Sequence, residues 1–353
     1  MNDKYIGLDV HQSTIVMGVT DEKGKQLMQS IVETKASTIR EAINGLSGTL
    51  HVTFEEGTHA HWLYDVLRPQ VASLVVCDPR RNKLLQSGNK ADKVDAWKLA
   101  NLLRAGLLTP VYHGEQGTRT LKELVHSYEG LVQDSTRVMN RLKALFRSRA
   151  IPCTGRKIYQ VAQRKQWLDL LTDPGARMRA EHLYQQLEYL QPLRQTAKRL
   201  MLAESRKHSA SKVLRQIPSL GPIRVAQILA TVTTPHRFRT KRQFWAYIGL
   251  GVRTESSAQY QIIQGQVRKS GKLASTRGLN QNYNRTLKYV FKSAATRARA
   301  TGPFKRSYES SLSKGIRPTM ALLTLARKIA AVTLVLWKKG ERFDSKKLTS
   351  QTT

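Results

Sequence analysis

The sequence predicts an α/β N-terminal domain, then an α-helical coiled-coil segment, then a mostly α-helical C-terminal domain. Three features predict this. Apolar runs of strand length alternate with helix-patterned stretches as far as residue 112. From there to residue 205 the chain is charged, low in Gly, and apolar at spacings of three and four. Beyond it, helical patterning returns but is broken by turns rich in Gly and Pro. The expected divisions are residues 1–112, 113–205 and 206–345, with 346–353 as a tail.

Within the first division, residues 5–10 form an apolar strand ending at Asp9. Residues 14–20 and 26–32 are β-rich, with a Gly-containing turn between them. Ser37 is placed as the N-cap of a helix reaching Leu46. A strand over 51–54 ends at Glu55 and Glu56, and a helix covers 61–67. A further strand over 72–76 ends in Cys77-Asp78-Pro79. Asp92 opens a helix to Leu103, with Val94, Leu99, Leu102 and Leu103 near one face. The order β-β-β-α-β-α-β-α is that of a ribonuclease H-like fold.

In the second division Leu121, Leu124, Val125, Tyr128, Leu131 and Val132 keep helical spacing, as do Leu183, Leu187, Leu190 and Leu193. Pro152, Gly155, Pro174 and Gly175 separate the two stretches, and Pro192 is expected to kink the second or start a new helix. A helical hairpin or antiparallel coiled coil follows, open to pairing between subunits. In the third division, residues 217–222 interrupt two apolar-periodic stretches in the manner of a helix-hairpin-helix element or an ordinary helix-helix turn. Residues 243–250 read as a short helix, 253–266 as a polar loop or hairpin, and 279–300 and 319–338 as helices. The last ten residues read as a frayed tail.

The charge is segregated. The chain has 59 Lys+Arg against 25 Asp+Glu, a formal net charge of +34. Residues 1–112 hold 13 of the basic and 12 of the acidic residues, so the excess lies beyond them. No acidic residue occurs from Ser205 to Thr254, nor from Ser256 to Tyr308. Self-repulsion on that scale calls for a polyanion, and nucleic acid is the expected partner. Two cysteines, Cys77 and Cys153, argue against a disulfide framework and against a four-ligand zinc site. The most apolar stretch, 330–337, is too short to span a bilayer and is followed by Lys338 and Lys339. The N-terminus enters a strand pattern directly, so no signal peptide and a cytoplasmic setting are expected.

The acidic residues that remain point to chemistry. Asp9 and Glu55 or Glu56 sit at strand ends, and strand alternation lets only one of the two glutamates face Asp9's side. Asp92 and Asp95 share a helix face at i,i+3, although an Asp at a helix start is often a cap. In a ribonuclease H-like fold these positions converge at one end of the sheet. Four carboxylates there repel unless they hold cations. Mg²⁺ (or Mn²⁺) takes oxygen ligands and supports phosphoryl transfer.

The segments Gly7-Leu8-Asp9-Val10-His11, Phe54-Glu55-Glu56-Gly57 and Lys90-Ala91-Asp92-Lys93-Val94-Asp95-Ala96 resemble the motifs of DEDD transposases of the insertion-sequence one-ten family. The resemblance runs over about residues 4 to 344. It implies a RuvC-like domain using Asp9, Glu55, Asp92 and Asp95 for metal and catalysis, with Glu56 as the alternative to Glu55. It also implies a C-terminal transposase domain with a nucleophilic serine after an apolar-Gly-Leu segment. Tyr247-Ile248-Gly249-Leu250 matches that segment, and ungapped spacing gives Ser257, with Ser256 beside it. The usual Ser-Gly is Ser257-Ala258 here, and the usual small residue after the glutamate is Glu56.

The resemblance further implies a phosphoserine–DNA intermediate, donor and target DNA as substrates, and a structured guide RNA. It implies a homo-oligomer, dimer or tetramer, with the carboxylates of one subunit meeting the serine of another. A bacterial, nucleoid-associated location goes with it. Arg224, Arg253, Arg268, Lys269, Lys272 and Arg277 are the candidate nucleic-acid contacts, as phosphate positioners. The rival enzyme reading is a Mg²⁺-dependent RuvC-like nuclease of the junction-resolving type, with water as nucleophile. A binding protein with a decayed site is disfavoured because all four acidic positions are intact.

Overall fold

The structure, a computed structural model, describes residues 2–80, 92–113, 118–255, 260–264, 266–269 and 275–348. Its contacts divide the chain into two compact units, Met1–Glu115 and Gln116–Thr353.

The first unit is built on strands β1 (Asp3–Val10), β2 (Thr14–Thr20), β3 (Gln26–Glu33), β4 (Thr49–Glu55) and β5 (Ser73–Cys77). Helices α1 (Ala36–Asn44), α2 (Ala60–Leu67) and α3 (Asp92–Arg104) complete it. The sheet order is β3-β2-β1-β4-β5. β1, β2 and β3 are joined as antiparallel hairpins, whereas β4 and β5 add in parallel. The β2–β3 turn is tight because the Asp21 carboxylate accepts the N–H groups of Lys23 and Lys25 and Gly24 takes φ +84°. Elements and order agree with the ribonuclease H-like expectation.

Period-two patterning assigns the two faces of this sheet. Ile6, Leu8, Val52 and Phe54 join Ile39, Ile43, Leu63 and Leu67 of α1 and α2 in one buried core. Gly7 and Thr53 are turned to the opposite face, where α3 lies across β1 and β2. One local expectation is corrected. α1 is capped at Lys35, and Ser37 lies inside its first turn. Thr34 is tied by its N–H to Ser13 O and by its hydroxyl to His11 O, which turns the chain into the helix earlier.

In the second unit, α4 (Arg119–Arg147) and α6 (Pro174–Lys207) flank the short α5 (Arg164–Asp169). Val138, Leu142, Leu145 and Phe146 near the end of α4 share a core with Ala176, Ala180, Leu183 and Tyr184 near the start of α6. Leu121 and Val125 at the other end of α4 share a core with Met201. The two helices are therefore antiparallel, as the hairpin expectation had it. Asp173 caps α6, accepting the Ala176 N–H at 2.7 Å. α6 is one continuous helix through Pro192, so no new helix starts there. Loss of a single N–H is tolerated in a helix already held along its length.

The rest comprises α7 (Ser209–Leu214), α8 (Pro222–Val232), α9 (Lys241–Tyr247), α10 (Arg285–Ala298), α11 (Lys305–Ser313) and α12 (Pro318–Lys339). Between α9 and α10 lie β6 (Val252–Glu255), β7 (Tyr260–Ile263), β8 (Gln266–Lys269) and β9 (Ser275–Leu279). β7 and β8 form an antiparallel hairpin, and β6 pairs antiparallel with β9. The expected helix from residue 279 instead begins at Arg285, where Asn284 caps the Leu287 N–H. Residues 275–279 are claimed by pairing with β6. The tail is also partly ordered into the fold: Leu348 is buried, and its carbonyl accepts from Lys328 Nζ. α12 is, among the described residues, the one helix long and apolar enough by composition to cross a membrane. Ala321, Leu325, Ala326, Ile329, Ala330 and Leu334 place it instead in the helical core.

Candidate active site

The first unit brings acidic residues to one sheet end through two packing facts. First, β1 and β4 are parallel neighbours with Gly7 beside Thr53 and Leu8 beside Phe54. Asp9 and Glu55 each follow this last register pair by one residue, towards the strands' C-terminal ends. Both fall on the face away from α1 and α2, since they alternate with the core residues Leu8 and Phe54. Second, α3 runs back along that face. Its last residue, Arg104, donates to Glu22 O and borders Gly24 in the β2–β3 turn, next to where β1 starts. Its middle crosses Gly7, where an added Cβ would stand 2.1 Å from Ala96 O. Its N-terminal turn, with Asp92 and Asp95, therefore reaches the end where Asp9 and Glu55 stand. Gly7 is what permits this approach.

The details of these carboxylates differ. Asp9 Oδ2 accepts from His11 Nε2 at 3.1 Å. Asp95 Oδ1 is shielded from solvent and accepts no hydrogen bond, with Lys98 Nζ 3.6 Å away. A shielded carboxylate oxygen without a donor is costly, and a hard cation would satisfy it. The side chain of Asp92 lies outside what the structure describes. Among the described residues, no three acidic, His or Cys side chains gather closely enough to hold a metal by themselves. Carboxylate oxygens on one face are the donor type that a hard divalent cation takes.

Glu56 has a different environment. It is on the opposite face from Glu55, and its Oε2 accepts from His113 Nε2 at 2.6 Å. Nothing in the sequence links residues 57 positions apart, so this pair was not foreseen.

In the second unit the turn between α7 and α8 has Ser219 at φ +72° and Gly221 as the α8 N-cap. Arg224 is drawn into this turn: Nη1 donates to Ser219 O at 2.9 Å and Nε to Ser293 Oγ at 3.1 Å. Burial pulls its pKa down from the ordinary arginine value. Its guanidinium thus clamps the turn. Gly249 ends the α9 segment at φ +69°, with the Tyr283 ring where a Cβ would be. Arg327 braces the next residue, donating from Nε to Leu250 O at 2.7 Å, while its own carbonyl accepts from Trp245 Nε1. These contacts fix the root of β6. Arg327→Ala is expected to lower stability by about 2 kcal/mol, since it strands the Leu250 carbonyl; thermal unfolding of the full chain would measure it.

Ser256 and Ser257 follow β6 and lie outside the described residues, as does Lys272. Arg253 on β6, Arg277 on β9 and Arg268 on β8 are exposed. Lys269 ends β8, and its side chain is not described. The candidates therefore separate: Arg224 is half-buried at the α7–α8 turn, while Arg253, Arg268 and Arg277 are exposed on β6, β8 and β9.

Two family models match the chain. The DEDD-type IS110 model, described as a transposase, matches residues 6–149. The model described as transposase IS116/IS110/IS902 family matches residues 211–274. No curated protein matches it. The first match takes in Asp9, Glu55, Asp92 and Asp95, and the second runs from α7 through α8, α9 and β6 to β8, stopping short of β9 and Arg327. The chain accordingly belongs to the IS110 family of insertion-sequence transposases, enzymes that cleave and recombine DNA.

Proposed function

We propose that the protein cuts and rejoins the DNA of its insertion sequence, using a divalent metal held by Asp9, Glu55, Asp92 and Asp95 and a nucleophilic Ser257. The observation that carries the metal half is the shielded, donorless Asp95 Oδ1 on the helix turn that reaches the Asp9–Glu55 sheet end. Bound Mg²⁺ or Mn²⁺ would neutralise the scissile phosphate and stabilise the departing oxygen. Ser257 Oγ attacks phosphorus, and the P–O bond to the departing deoxyribose breaks as the Oγ–P bond forms. The hydroxyl proton ends on the departing sugar oxygen. One phosphoester replaces another, so rejoining needs no ATP. Supporting the serine is the braced Gly249–Leu250 segment, whose root leads through β6 to it.

Donor and target DNA are the substrates of this reading. Arg253, Arg268 and Arg277 supply phosphate contacts, with Lys269 and Lys272 beside them in sequence. A structured guide RNA from the element selects the target, which suits a chain with so large a basic excess. The protein works as a dimer or tetramer in the bacterial cytoplasm, on the nucleoid. Met178, Tyr189, Leu193 and Leu200 favour assembly through coiled-coil pairing: all are exposed apolar residues, and helical spacing puts them on one stripe of α6.

The test is a trapping assay with element-junction DNA, Mg²⁺ and RNA from the flanking non-coding region. The expected result is a denaturation-resistant protein–DNA adduct that is absent in Ser257→Ala and strongly reduced in Asp9→Asn. Metal-dependent cleavage without an adduct, unchanged in Ser257→Ala, would favour the water-using nuclease.

A further inference from the structure

The pairing of Glu56 with His113 occupies neither half of the proposed chemistry, yet it lies one residue from Glu55. His113 arrives on a segment that docks along the far edge of the sheet. The Asp78 N–H donates to Thr109 O at 3.2 Å, the Val111 N–H donates to Val76 O at 2.7 Å, and Cys77 bridges Pro110. Past that edge the His113 ring is 4% exposed, stacks on Tyr64 at 5.0 Å and meets His61 at 4.9 Å. Two aromatic neighbours and burial leave the ring little freedom. Its Nε2–H is directed at Glu56 Oε2 across 2.6 Å.

The consequence falls on Glu55. The Glu56 N–H is already held by Cys77 O at 2.9 Å. With the side chain held as well, the residue after Glu55 is fixed by both backbone and carboxylate. Successive strand residues face opposite ways, so locking Glu56 on the α2 face sets where Glu55 points on the α3 face. Mg²⁺ requires near-ideal octahedral geometry, and outer partners that orient a ligand typically change metal affinity by roughly 10–100-fold.

We infer that the Glu56–His113 pair is a positioning device for the metal-ligating Glu55, reaching it through one peptide unit. This rests on the proposed metal site. It gives Glu56 a role as hydrogen-bond acceptor, distinct from that of a ligand.

Mn²⁺ binding to the full-length protein without DNA, followed by the electron paramagnetic resonance of free Mn²⁺, tests it. Circular dichroism and thermal unfolding would accompany each variant. Glu55→Gln should abolish the tight site. His113→Ala and Glu56→Ala should weaken it about 10–100-fold. Glu56→Gln keeps an acceptor oxygen for His113 Nε2–H and should bind Mn²⁺ within about threefold of the unaltered protein. Glu56→Gln behaving like Glu55→Gln would overturn the inference by making Glu56 a ligand. Unchanged binding in Glu56→Ala would overturn it too, and this variant serves where His113→Ala fails to fold. If the unaltered protein binds no Mn²⁺, it is the metal site that fails, a separate outcome.

Discussion

Asp95→Asn is expected to lower Mg²⁺-supported DNA cleavage by about 1,000-fold, equivalent to roughly 4 kcal/mol of transition-state stabilisation. The same change should leave the fold intact or slightly firmer. Asp95 Oδ1 is shielded and accepts no hydrogen bond, and the partly exposed side chain has only Lys98 at 3.6 Å, so its charge adds little to the apo fold. The amide keeps the size and removes the charge. The prediction therefore has two signs: activity falls steeply while thermal stability stays level or rises by a degree or two. Cleavage assays and unfolding on one preparation would check both. A variant that loses stability in step with activity would mean that Asp95 serves the fold through Lys98, 3.6 Å away, and not a metal.

Gly7→Val should disrupt the first unit more than any single exposed substitution. Already the Cβ would lie 2.1 Å from Ala96 O, 2.6 Å from Ala100 N and 2.8 Å from Leu99 Cβ. Two of these are backbone atoms and cannot rotate away. α3 must lift off β1, at a cost of about 3 kcal/mol or more. Lifting α3 also withdraws Asp92 and Asp95 from the strand ends. A lower unfolding temperature and loss of Mn²⁺ binding should appear together. Gly7→Ala should show the same pair of effects in milder form. Near-normal unfolding of Gly7→Val would mean that α3 is not seated on Gly7.

The alternation of apolar strands with amphipathic helices determined the first unit's element order, because local periodicity follows which face of each element is buried. Strand ends at Asp9 and Glu55 and a helix starting at Asp92 were legible for the same reason. The choice between Glu55 and Glu56 was not. Adjacent glutamates look alike in sequence, and only the fold shows that Glu56 is the one paired with His113. Arg224 shows the same limit: sequence places a cation in a turn of a basic domain, and only the fold shows that its Nη1 and Nε donate to Ser219 O and Ser293 Oγ.

By itself, then, the sequence determined the segregated charge, the order of the N-terminal elements and the positions of the acidic residues. These are local or summed properties. The tertiary structure decided the extent of β9 and the start of α10, the approach of α3 over Gly7, and the Glu56–His113 pair. Each of those depends on contacts between residues far apart in the chain, whose energies no local pattern carries.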